Sequence, residues 1–144
     1  MTLNQISVFV ENKPGKMQHL TQVLADHSVD MRALSLAETT EFGIVRIIVD
    51  DVYAASTMLK EEGFIHSITK VLGVAIPDQP GGLNTVLKVL GEAGINVEYM
   101  YAFLSSHSTD HAYMIFHVQD VKEAVAVLAE KGIRCIGQEA LLEV

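Results

Sequence analysis

The feature that most constrains this chain is an internal repeat. "VENKPGKM" (Val10 to Met17) returns in altered form as "PDQPGGLN" (Pro77 to Asn84), with Pro14-Gly15 and Pro80-Gly81 separated by 66 positions. The same offset aligns Leu20 with Val86, Leu24 with Leu90, Val29 with Ile95 and Asp30 with Asn96. Past a hairpin that is three residues longer in the second half, the offset becomes 69. It then aligns Val45 with Met114, Ile47 with Phe116, Asp51-Val52 with Asp120-Val121, and Gly63 with Gly132. One break in register over 144 residues identifies two copies of one supersecondary unit.

Each copy has six elements. Ile6, Val8 and Val10 alternate with other residues, as Leu72, Val74 and Ile76 do, which predicts a strand with one buried face. A Pro-Gly turn leads to a helix with its apolar stripe at Met17, Leu20 and Leu24, or at Leu83, Val86, Leu87 and Leu90. Gly94 is placed to end the second of these helices. Strands are expected at 29–38 and 95–105, then at 43–50 and 112–119. Asp51 and Asp120 are expected N-caps, with Glu123 completing a capping box. The last strands are expected at 64–70 and 134–143, and "ITKVLGVAI" joins the copies. The predicted fold is α+β: two ferredoxin-like βαββαβ units side by side, an antiparallel sheet with helices on one face, divided as 1–70 and 71–144.

Composition narrows the function. The chain is 49% hydrophobic with a net charge of −8 and no basic stripe, so nucleic acid is a poor partner. Its single cysteine, Cys135, forms no internal disulfide and has no motif supplying a base. The opening stretch does not read as a signal peptide, no apolar run is long enough to span a membrane, and the expected setting is the cytoplasm.

The Pro-Gly turns have two readings. Proline suits the first helical position and glycine suits a tight turn. Helix-start N–H groups also lack partners and carry partial positive charge, so they attract a carboxylate. Gly81-Gly82 is expected to leave those groups open, and Asp78 could accept an ammonium. Together these groups suit a free α-amino acid.

Strand, Asp-x-Pro-Gly, then a helix ending in Gly-Ile-Asn-Val resembles the ACT family of small-molecule-binding regulatory domains. The residues that carry the resemblance are Asp78, Pro80, Gly81, Gly94, Ile95, Asn96 and Val97. The first copy matches through Asn12, Pro14, Gly15, Val29, Asp30 and Met31; it has Asn for Asp, Lys16 after Gly, and "HSVD" for "AGIN". The resemblance covers nearly the whole chain. It implies a non-catalytic sensor of a free amino acid, bound where two domains meet, by one domain's strand-to-helix loop and the start of its neighbour's second strand. One implied site joins Asn12, Gly15, Lys16 and Met17 to Asn96 and Val97. The other joins Asp78, Gly81, Gly82 and Leu83 to Asp30 and Met31. No cofactor and no metal are implied; the partners expected are a regulated enzyme and a second copy of the chain.

Other features are weaker. His107, Asp110, His111 and His117 have no recognised metal-ligand spacing. Tyr99, Tyr101, Phe103, Tyr113 and Ile115 are expected on the sheet face away from the helices. They are a contact between chains, a strand buried on both sides within the monomer, or the product of a different strand register. A small enzyme on the same fold is the alternative function, though no nucleophile–base pair or phosphate loop is present. An RNA-binding module lacks the aromatic signature and the charge. A copper chaperone would need a Cys-x-x-Cys.

Overall fold

The computed structural model describes residues 1–104 and 111–144, apart from the side chain of Leu142. The chain divides into an amino-terminal unit, Asn4–Thr69, and a carboxy-terminal unit, Lys70–Val144 with Met1–Leu3. The amino-terminal unit is built from β1 (Leu3–Glu11), α1 (Lys16–Asp26), β2 (Met31–Glu38), β3 (Phe42–Val49), α2 (Val52–Glu61) and the start of β4 (His66–Pro77). The other unit takes the rest of β4, then α3 (Gly82–Glu92), β5 (Tyr99–Ala102), β6 (His111–His117), α4 (Val121–Glu130), β7 (Cys135–Ile136) and a 3-10 helix, Gln138–Glu143. Each unit is a ferredoxin-like βαββαβ arrangement with antiparallel pairing. The strand orders are β2-β3-β1-β4 and β5-β6-β4-β7.

Period-2 alternation explains each core. Ile6 pairs with Ile47 and Val8 with Val45, so these side chains share a face. They pack with Leu20, Val23 and Leu24 of α1 and Ala55, Met58 and Leu59 of α2. In the carboxy-terminal unit Leu72, Val74, Phe116 and Val118 meet Val86, Leu90, Ala124 and Leu128. The helices therefore cover one sheet face, as the repeat predicts.

The N-caps are where the sequence puts them. Asp51 Oδ1 accepts from Ala54 N at 3.0 Å, and Asp120 Oδ1 from Glu123 N at 3.0 Å. Gly94 closes α3 at φ 74°, where Ile95 N donates to Leu90 O at 2.9 Å. Ser28 holds the equivalent place after α1 at φ 54°, in a region that costs a side-chain-bearing residue energy.

Three expectations need correction. Among the described residues of the strand expected at 95–105, only Tyr99–Ala102 is regular; residue 105 lies outside them. The strand expected at 134–143 pairs for just two residues, Cys135 and Ile136, before the 3-10 helix takes over. The aromatic face is also not open. Tyr101, Tyr113 and Ile115 are buried in a single chain, Tyr99 stacks on His117 at 4.8 Å, and Phe103 meets Tyr113 edge-on at 5.8 Å. The reading of a strand buried on both sides therefore holds. Gly73, which pairs with Ile115, shows how tightly that side is filled: a Cβ there would lie 2.6 Å from Leu3 Cδ1 and 2.7 Å from Ile136 Cγ1.

Candidate functional site

The two turns share one geometry. Gly15 and Gly81 are the N-caps of α1 and α3, at φ 82° and 86°, in the left-handed region where glycine is favoured. The prolines stand one residue before the cap, so they are not the first helical residues expected from the sequence. The glycine bend makes the corner, and proline stiffens its approach. Lys13 N donates to Glu11 O and Gln79 N to Pro77 O, both at 2.9 Å, which fixes the same loop twice. The first intrahelical bonds run from His19 N to Gly15 O and from Thr85 N to Gly81 O, each 3.0 Å. The N–H groups of Met17, Gln18, Leu83 and Asn84 precede them at the helix starts.

Gly82 has a different role from the one its sequence suggests. A Cβ there would fall inside the contact distance of the Pro77 carbonyl oxygen. Its missing side chain is a requirement of the turn itself and not an opening for a ligand. Gly81, by contrast, has nothing within 4 Å of its Cβ position, and its positive φ accounts for it.

The charged candidates differ between turns. Asn12 Nδ2 donates to Thr39 O at 3.1 Å and Glu38 Oε2 at 3.4 Å, so it ties the turn to the β2–β3 hairpin. An unpaired Asp78 carboxylate stands at the equivalent position, exposed and without a side-chain partner among the described residues. Glu11 meets Lys13 Nζ at 2.9 Å and Lys16 Nζ at 3.7 Å. The hydrogen bond and charge of Lys13, aided by Lys16, hold the Glu11 carboxyl below the usual range. Asp30, just before β2, lies 3.5 Å from Arg32 Nη1. Met31 opens β2 and packs against the amino-terminal core. Asn96 lines a shallow 750 Å3 cavity with Glu98 and Asp120, and Val97 packs on the carboxy-terminal core.

Each turn borders a cavity in its own unit, and the two cavities are equivalent under the repeat. In the amino-terminal unit a cavity of about 790 Å3 lies between the end of β1, the start of α1, the start of β3 and the segment from α2 to β4. Asn12 and Lys16 are in its wall, with Phe9, His19, Phe42, Phe64 and Ile65. In the carboxy-terminal unit the corresponding cavity is about 360 Å3, lined by Ala75, Gly82, Thr85, His111, Ile133 and Arg134. On its other side the first turn, through Gly15 and Met17, borders a smaller cavity of 110 Å3. The larger cavities were missed from the sequence, although the divergent pairs Phe9/Ala75, Phe42/His111 and Ile65/Arg134 are visible once the copies are aligned.

An ACT domain pair model matches residues 1–144. The chain belongs to the ACT domain pair family. A crystal structure of a Bacteroides thetaiotaomicron protein superposes with a TM-score of 0.91 at 35% identity, covering 100% of this chain and 98% of that one. The regulatory subunits of aspartate kinase from Thermus thermophilus and Thermus flavus share the fold at 14% identity, with TM-scores of 0.61 and 0.57. They cover 88% and 97% of this chain, and 90% and 92% of their own. No curated protein matches the sequence. Membership of the ACT pairs supports a regulatory, small-molecule-binding role.

Among the described residues no three His, Cys, Asp or Glu side chains gather as a metal site. His111 starts β6 and His117 ends it, with Nδ1 3.3 Å from Glu98; His107 and Asp110 lie outside the described residues. Cys135 is buried, and burial pushes its thiol pKa up, so it is a poor nucleophile. Among the described residues no helix is long and apolar enough to cross a membrane.

Proposed function

We propose that this ACT pair, with domains at 1–70 and 71–144, is a non-catalytic sensor that binds a free amino acid through its strand-to-helix turns. It would pass the signal to a regulated enzyme partner in the cytoplasm. The observation that carries this reading is the twice-built turn. A left-handed glycine cap opens a helix start beside a cavity at the same place in both units of an ACT pair. Helix-start N–H groups favour a carboxylate, and the Asn12 and Asp78 positions offer polar groups beside them. Asp30, Met31, Asn96 and Val97 enter the proposal through the family resemblance.

A thermal-shift panel of the common amino acids tests it. A ligand that binds only the native chain at a hundred times its Kd adds about 2.7 kcal/mol of stability, or roughly 5–10 °C for a domain of this size. A flat response to every amino acid overturns the proposal. Asp78→Asn then locates the ligand: a tenfold or greater loss of affinity, the order expected for one charge-assisted hydrogen bond, places it at the second turn. Undiminished affinity places it at the first.

A further inference from the structure

An apolar row crosses the amino-terminal sheet, from β2 to the entry of β4, on the face away from its helices. Register pairs Ala37 of β2 with Ile44 of β3, and Ile44 with Phe9 of β1. Phe9 N donates to Ile65 O at 2.9 Å. His66 Nε2 lies 2.8 Å from Ser56 Oγ of α2, so His66 points to the helices and Ile65 beside it points away. Phe42 shares that face with Ile44 by alternation along β3. Phe9 is 42% exposed, Phe42 49% and Ile65 74%. Isolated exposed apolar side chains need no explanation, but a contiguous row does. The repeat shows that the fold does not require it. The equivalent row in the carboxy-terminal unit is Phe103, Tyr113, Ala75 and Arg134. Phe103 N donates to Tyr113 O at 3.0 Å, Tyr113 pairs with Ala75, and Ala75 N donates to Arg134 O at 3.3 Å. Ala75 stands there for Phe9, Arg134 for Ile65 and His111 for Phe42. The same strand pairing therefore forms without these three side chains, and what they add is apolar surface.

Charge favours a second copy of this chain as the occupant. The chain carries a net −8, yet the row is flanked on its own face by a charge of each sign. Glu11, paired with Phe42, lies on one side of it, and Arg46, paired with Ser7, on the other. Lys13 and Lys16 further hold Glu11. A two-fold axis along the row lays each row on its mate and turns the Glu11 side of one copy over the Arg46 side of the other. Two acidic chains thus meet where like charges do not oppose each other. An anionic lipid surface would be repelled by the net charge.

We propose that two copies of this chain associate face to face through Ile44, Phe9 and Ile65, with Phe42 beside them, about that two-fold axis. Sheets packed in this way stand about 10 Å apart with their side chains interleaved. Area sets the strength. The exposed parts of Phe9, Phe42 and Ile65 amount to on the order of 300 Å2 per copy, below the roughly 800 Å2 per partner of a standard interface. The dimer is therefore weak and reversible. It forms whether or not an amino acid is bound, so it does not rest on the sensor reading.

Sedimentation velocity of the full chain at about 1–500 µM, without added amino acid, tests this. The chain should shift from monomer to dimer with a Kd on the order of tens of micromolar. Phe9→Ser removes apolar contact, and Ile65→Asp sets two like charges against each other across the axis. Each should raise Kd at least about tenfold. Both side chains are exposed, so urea melts should show the fold kept, most securely for Ile65 at 74% exposure. Tyr53→Ser, on α2 and 89% exposed, should leave Kd unchanged. A monomer at every concentration overturns the inference and leaves the row to a different protein. A dimer indifferent to both row variants overturns it as well. Equal weakening by Tyr53→Ser does the same, since it places the contact elsewhere.

Discussion

Gly81→Ala and Gly82→Ala should differ sharply, although they change neighbouring glycines in one turn. At Gly81 the added methyl meets nothing within 4 Å, and the penalty is backbone strain at φ 86°. Such a residue costs about 1–2 kcal/mol. At Gly82 the methyl meets the Pro77 carbonyl oxygen closer than the 3.0 Å that real Cβ atoms keep, and that oxygen is backbone. Relief requires the turn to open. Two bonds then weaken, Gly82 N to Gln79 O at 3.0 Å and Gln79 N to Pro77 O at 2.9 Å. At about 0.5–1.5 kcal/mol each, their loss costs about 1–3 kcal/mol, and the contact strain adds to it. Lys16 occupies the matching place in the first turn, where the equivalent Lys16 N to Lys13 O bond is longer, 3.3 Å. Urea melts of both variants, fitted with a common m value, measure the difference. The amide signals of Pro77's neighbours Asp78 and Gln79 should shift in Gly82→Ala and hold still in Gly81→Ala. Equal destabilisation, with no shift at Asp78 or Gln79, would refute the steric account of Gly82.

Ser28→Gly should stabilise the chain, because it relieves left-handed strain of about 1–2 kcal/mol against about 0.4–1 kcal/mol of added freedom in the unfolded chain; chemical denaturation reads the net gain. Asp51→Ala and Asp120→Ala each remove an N-cap and should cost about 1 kcal/mol by the same assay. Glu11, depressed by Lys13 and Lys16, should titrate at higher pH in Lys13→Met, as followed by carboxyl NMR. Any stability it lends is present above its unfolded pKa and fades as pH falls through the lower folded value, so Lys13→Met should flatten the acid limb by lowering stability at neutral pH, and leave stability below the folded pKa unchanged.

The helices were legible because two copies reported on the same pattern: α1 and α3 keep the 66-residue offset at both ends, and α2 and α4 keep the 69-residue one. Asp51 and Asp120 were legible for the same reason, since a cap is local chemistry. The end of the chain was not. Cys135 and Ile136 pair with β4, but "GQEALLE" carries both strand-like and helix-like apolar spacing, and Leu141 is buried in the 3-10 helix. Pro14 and Pro80 stand two residues before the first helical position expected for them, because the left-handed φ of Gly15 and Gly81 cannot be told from composition. The amino-terminal cavity was illegible in a single pass. Its lining residues come from β1, α1, the start of β3 and the return from α2, segments that only the fold brings together. The faces of β5 and β6 were correctly assigned, yet which side would be covered depended on tertiary packing that alternation does not encode.

Equilibrium dialysis of the full chain against a mixture of the common amino acids, quantified on both sides of the membrane, tests the central claim most directly. The account predicts that at least one amino acid accumulates saturably on the protein side. It also predicts that the total of every amino acid stays constant, since the chain binds without chemistry. Equal concentrations of all of them across the membrane would contradict the sensor, and steady disappearance of one would show an enzyme in its place.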